Sequence, residues 1–117
     1  MKLNTMSDDG GVLQIQVTGR ITQDKLSPTA DALADLLGPE GYARRVVLSL
    51  ADVDFIDTSG IGWLLARHKR FREGGGKLVL HSVVPMVLEV LKVLRLHTVF
   101  HLADDEPAAL ALGAADQ

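Results

Sequence analysis

The spacing of apolar positions changes several times along the chain, and each change marks an element. Val12-Leu13-Gln14-Ile15-Gln16-Val17 nearly alternates, with Leu13 as the exception, and is β-branched, which predicts a half-buried strand. Asp8-Asp9-Gly10-Gly11 before it is turn chemistry, and residues 2–7 read as an earlier strand, so the chain opens on a β-hairpin. Gly19 is expected to end the second strand. Ser27 before Pro28 fits an N-cap followed by proline at the first helical position. Leu33, Leu36 and Leu37 then recur at helical spacing, with Asp31 and Asp35 outward, until Gly38-Pro39 stops an amphipathic helix of about three turns. Val46-Val47-Leu48-Ser49-Leu50 is almost continuously apolar, as in a strand covered on both faces. A polar turn is expected over 51–54. Phe55-Ile56-Asp57-Thr58-Ser59-Gly60 then leads into a helix over 59–73, ended by Gly74-Gly75-Gly76. Residues 77–81 form another strand. Pro85 opens a helix with Val87, Leu88, Leu91 and Leu94 on its inner side, residues 99–102 form the last strand, and Glu106-Pro107 starts a short helix to about Leu112.

The order β-β-α-β-α-β-α-β-α implies a single α/β domain with a mixed sheet and about four helices. Strand–helix–strand alternation gives parallel neighbours and right-handed crossovers, and the hairpin adds one antiparallel pair. The domain is expected over 1–112, with 113–117 frayed. A length of 117 residues fits one domain. Aromatics are scarce (Phe55, Phe71, Phe100, Tyr42 and Trp63), so the core must be aliphatic. With no cysteine, a disulfide scaffold, a thiolate zinc site and thiol catalysis are all excluded. A net charge of −3 gives no general support for nucleic-acid binding. No run of 18 apolar residues exists and residues 1–11 carry no apolar block, so neither membrane insertion nor a signal peptide is expected. A cytoplasmic location follows as the expectation.

Asp57-Thr58-Ser59-Gly60-Ile61-Gly62 joins a buried strand to a helix start, where α/β folds place their sites. Three small polar residues there suit helix capping. A hydroxyl among unpaired backbone N–H groups at the positive end of a helix also suits phosphorylation, because a phosphate of about −1.5 to −2 charges is tolerated there. At 100° per residue Ile61, Leu64, Leu65 and His68 share the core face, while Ser59, Gly62, Trp63 and Ala66 lie opposite. Trp63, one turn after Ser59, is thus expected to be partly exposed, as an interface anchor or packed under a loop or the C-terminal helix.

Other chemistry is poorly supported. His97 and His101 have the spacing of a helical metal pair, but Thr98-Val99-Phe100 between them reads as strand entry, where they stand too far apart for one ion, so no metal site is expected. Ser59 lacks the glycines of a nucleophile elbow, and His68 points to the core side of the same helix, so no enzyme is expected. Gly74-Gly75-Gly76 is a helix stop without phosphate-loop chemistry. Arg67, Lys69, Arg70 and Arg72 form a solvated basic face that could steer an acidic partner.

Residues 46–80, VVLSLADVDFIDTSGIGWLLARHKRFREGGGKLVL, resemble the STAS domain of bacterial anti-sigma factor antagonists: an apolar strand, a short turn, D-[ST]-S-G-[LI]-G and a helix ending in glycines. The likeness extends back to Gly19 and forward through Pro85, Leu91, Leu94 and Leu96 to Val99-Phe100. It implies a regulatory binding module without cofactor. Ser59 would be phosphorylated by an anti-sigma factor that is itself a serine kinase of the histidine-kinase-like ATPase fold. The unphosphorylated chain would bind that kinase, the phosphorylated chain would let go, and a PP2C-type phosphatase would reset it. Asp57, Thr58 and Gly60 match the phosphosite loop, and Ser59, Gly62, Trp63 and Ala66 the partner-binding face. The family's G-x-L-D pattern is replaced by Gly19-Arg20-Ile21-Thr22, so its acidic group is absent or displaced to Asp24. An alternative implied by the same resemblance is a constitutive assembly subunit, as in lipid-transport ATPase complexes.

Overall fold

The computed structural model describes residues 2–9, 11–22 and 32–114. Five strands form one sheet in chain order: β1 (Lys2–Asp9), β2 (Val12–Ile21), β3 (Arg45–Ile56), β4 (Lys77–His81) and β5 (His101–Ala103). β1 and β2 pair antiparallel as the expected hairpin, and β2 through β5 run parallel. The helices are α1 (Ala32–Leu37), α2 (Thr58–Gly74), α3 (Pro85–Val93) and α4 (Glu106–Ala114). Short 3-10 segments cover Gly38–Ala43 and Leu96–Thr98. The mixed α/β architecture read from the sequence is therefore the observed one.

Strand alternation sends side chains to two cores of unequal size. Leu13, Ile15 and Val17 of β2, Val46, Leu48 and Leu50 of β3, and Leu78 and Leu80 of β4 face α1, α2 and α3, which contribute Leu33, Leu37, Ile61, Leu64, Phe71, Val87 and Leu91. Each such side chain contributes about 1.5–3 kcal/mol on burial. On the other face Val12, Val47 and Val79 meet Ala109 of α4. Val12, not Leu13, is thus the residue that breaks the β2 alternation. Two cations at the strand starts fasten α4: Lys77 Nζ donates to Leu112 O at 2.7 Å and Arg45 Nη1 to Gly113 O at 2.8 Å. They meet the negative end of the helix and satisfy its last carbonyls.

Several boundaries differ from the sequence reading. β3 runs unbroken through 51–54 where a turn was expected. Two bulges let it do so: Leu50 and Ala51 stand opposite Val17, and Asp54 is the extra residue before the Arg20–Phe55 pair. Buried Leu50, Val53 and Ile56 consequently fall three apart, which hides the period of two. Gly19 does not end β2; it adopts φ +91° at the second irregularity and the strand continues to Ile21. Val99 and Phe100 precede β5 instead of opening it. α4 reaches Ala114, with Gly113 buried, where fraying was expected from 113. Leu94 is 50% exposed, since α3 closes at Val93. The expected helix start at Ser27-Pro28, and Asp24, lie outside the described residues.

Candidate functional site

β3 delivers the chain to the start of α2 at one edge of the main core. Asp57 is extended (φ −110°, ψ −177°) and caps the helix, its Oδ1 accepting the Gly60 N–H at 2.8 Å. The Ile61 N–H donates to Asp57 O at 2.9 Å, the first helical bond. Thr58 is then the first helical residue and Ser59 the second, inside the turn whose N–H groups lack helical acceptors. The end of β2 supports this turn from behind. The Asp57 N–H donates to Ile21 O at 3.3 Å, and a Cβ on Gly60 would sit 2.2 Å from the same oxygen. Only glycine permits this approach, so the glycine of the motif has a steric cause.

The helical wheel is largely right and in two places too simple. Ile61, Leu64 and His68 are buried, joined by Phe71, while Leu65 is only half-buried. On the opposite face Gly62 and Ala66 are exposed, but Ser59 and Trp63 are half-buried. Trp63 packs against the main core and lies under the Arg67 guanidinium, 5.7 Å from the ring centroid. α4 cannot cover it, being on the far side of the sheet. Thr58 is exposed, and Thr22, at the place of the family's acidic residue, is half-buried beyond the end of β2.

Beside the cap lies an apolar groove that the helical wheel of α2 could not reveal. Ile56 and Ile61 line one side, and Met86, Val90 and Val93 of α3 with Leu94 just after it line the other, with Asp57, Thr58 and Glu89 at its polar edge. Met86 is 64% exposed and Val93 72%. The available signal was in α3 itself: between Pro85 and Leu94 only Glu89 and Lys92 are polar. A surface helix needs a single apolar stripe, so one apolar on more than its core side has a second surface to cover.

His68 stands apart from this site. Its ring packs edge-on against Phe100 (centroids 5.5 Å) and lies 5.8 Å from His101. Burial pulls its pKa below the ordinary histidine value, and the nearby His101 and Arg72 act in the same direction. His101 is lowered too, by burial and then by Lys77. His97 sits in the 3-10 turn Leu96–Thr98, not in a strand, and among the described residues no group of three His or acidic side chains could hold a metal ion. No helix among the described residues is long and apolar enough to cross a membrane.

Comparison with known proteins places this geometry in a family. The model of the STAS domain matches residues 6–109. An anti-sigma F factor antagonist of Paenibacillus polymyxa is 30% identical over 112 residues, covering 90% of this chain and 89% of the relative. Two solved structures share the fold. A STAS domain protein of Planctomyces limnophilus, described as an anti-sigma-factor antagonist, superimposes with a TM-score of 0.70 at 24% identity, covering 97% of this chain and 98% of that one. The anti-sigma factor antagonist SpoIIAA in its unphosphorylated form gives 0.60 at 15% identity, covering 94% of each chain. The chain, with its D-T-S-G turn held between β2 and α2, belongs to the STAS domain family and is a relative of the anti-sigma factor antagonists.

Proposed function

We propose that this protein is an anti-sigma factor antagonist whose grip on its partner is switched by phosphorylation of Ser59. The observation that supports it best is the adjacency of two features. A hydroxyl stands in the first turn of a 17-residue helix, and an exposed apolar groove opens beside the same turn. Met86, Val93 and Leu94, the exposed apolar residues of the groove, lie outside the main core. The unphosphorylated chain docks an anti-sigma factor serine kinase through this groove and the outer face of α2, with Gly62 and Ala66 allowing close approach and Trp63 at the margin. The protein then acts by binding, without catalysis of its own.

Phosphorylation acts on the partner more than on the fold. A phosphate at Ser59 meets the positive end of α2, which stabilises it locally. The same charge falls one residue after Thr58, which lines an apolar groove already edged by Asp57 and Glu89. An apolar partner surface then has to strip water from a phosphate of about −1.5 to −2 charges, which is costly. Release follows, and a PP2C-type phosphatase restores the binding form.

The test is phosphate transfer. Incubation with a candidate anti-sigma factor kinase and ATP should add one phosphate to the chain, located at Ser59 by mass spectrometry. Equal labelling of Ser59→Ala would overturn the assignment. A chain that binds its partner equally well with and without the phosphate would also do so.

A further inference from the structure

The sheet face opposite the α2 site carries a polar row. Asn4, Gln16, Ser49 and His81 are direct neighbours on β1, β2, β3 and β4, one per strand at the same level. With strands about 4.8 Å apart, Gln16 to His81 spans about 10 Å. α4 covers the sheet beside this row and begins next to it, so that Met6, Gln14, Gln16, Ser49, His81 and Glu106 enclose a cleft of about 400 Å³ including its mouth. The cleft lies at the C-terminal end of β4 and beside the middle of β2. His81 is only 6% exposed and still contributes to its wall.

The hydrogen bonds already made show what is left over. Gln16 Nε2 donates to Asp52, which fixes the amide and leaves its carbonyl oxygen as an acceptor. His81 Nδ1 is engaged with Ser82 Oγ at 2.9 Å, which leaves Nε2 for the cleft. Glu106 adds a carboxylate. Two cations of the same face, Lys77 and Arg45, are held at the far end of α4 on Leu112 O and Gly113 O, and among the described residues no Lys or Arg lines the cleft. The acceptors left for the cleft are the Gln16 carbonyl oxygen, the Glu106 carboxylate, which brings negative charge, and the remaining lone pair of Ser49 Oγ, which already accepts the Ala51 N–H at 3.4 Å. The sheet forms its floor, and the Met6 side chain, 61% exposed, lines one side. A planar cation with several N–H donors matches that combination better than a compact ammonium does.

We propose that this cleft is a second ligand site, which binds a small guanidinium compound through Glu106, Gln16, Ser49 and His81. The site is separate from Ser59 and stands whether or not the phosphorylation switch does. The test is titration of the full-length, 15N-labelled chain with methylguanidinium chloride, followed by two-dimensional NMR. Saturable shifts at Gln14, Gln16, Ser49, His81 and Glu106 are expected. Glu106→Gln should raise the midpoint about tenfold, as one charge-assisted hydrogen bond is lost. Ser49→Ala, which leaves the charge in place, should raise it less. Non-saturating shifts spread over surface carboxylates overturn the proposal. An equal response to ethylammonium, or an unchanged midpoint in both variants, does so as well. Binding of a blocked arginine peptide but not of methylguanidinium overturns the small-molecule assignment in favour of a partner's arginine side chain.

Discussion

The two ends of α2 are built with the same device and put to different use. At the N-terminal end a Cβ on Gly60 would stand 2.2 Å from Ile21 O, and at the C-terminal end a Cβ on Gly76 would stand 2.2 Å from Arg44 O. Glycine lets the helix abut a neighbouring backbone in both places. The C-terminal end is closed off: Gly75 is left-handed at φ +84° and the Gly76 N–H donates to Phe71 O at 2.9 Å, a complete helix stop. The N-terminal end is capped as well, by Asp57, yet it adjoins an exposed hydroxyl-bearing turn and the α2–α3 groove. Glycines and caps therefore describe how a helix is held. Among the described residues the exposed apolar groove adjoins the N-terminal end, and that difference is what the proposed function rests on.

The largest expected effect tests the shared device. Gly60→Ala and Gly76→Ala should each cost about 3 kcal/mol or more, measured by denaturant unfolding, because the opposing atom is backbone and cannot swing away. A small cost at either end would break the parallel. The groove comes next. Val93→Glu should change stability by less than about 0.5 kcal/mol, since Val93 is 72% exposed. It should weaken partner binding by about 2 kcal/mol, read by calorimetry.

Acidity probes the part of α2 remote from the cap. His68 and His101 are both held below the ordinary histidine value, chiefly by burial, so the unfolded chain takes up protons first. Stability should then be level above about pH 7.5 and fall as pH drops through about 6.5. His81 shifts the same way and adds to the fall. His68→Phe should shallow the acid limb in a series of thermal midpoints, and an unchanged limb would count against the burial cause. Asp57→Ala should cost about 1 kcal/mol, the loss of one cap bond, with Asp57→Asn close to wild type. Gly62→Ala, with open space around the new methyl, should gain about 0.5–1 kcal/mol.

The order of elements was legible because α2, β4 and the hairpin follow simple periods and end in strong glycine or turn signals. The middle of β3 was not, because two bulges place Leu50, Val53 and Ile56 three residues apart, and Ala51-Asp52 mimics a turn. Gly19 misled for a related reason: its positive φ falls at the irregularity between β2 and β3, not at a chain exit. The cap and Ser59 stood out in one short motif. The groove did not, since it is made jointly by α2 and α3, and a wheel drawn on one helix cannot show a surface shared by two. Leu94 illustrates this, being counted with the inner side of α3 while its place after the last helical residue turns it outward.

The switch itself is most directly tested by the affinity of the anti-sigma factor kinase for the chain before and after stoichiometric phosphorylation at Ser59. The expected result is a loss of about 100-fold or more, near 3 kcal/mol, with the thermal midpoint of the free chain nearly unchanged. Equal affinity in the two forms, or a loss that tracks unfolding of the phosphorylated chain, would contradict it.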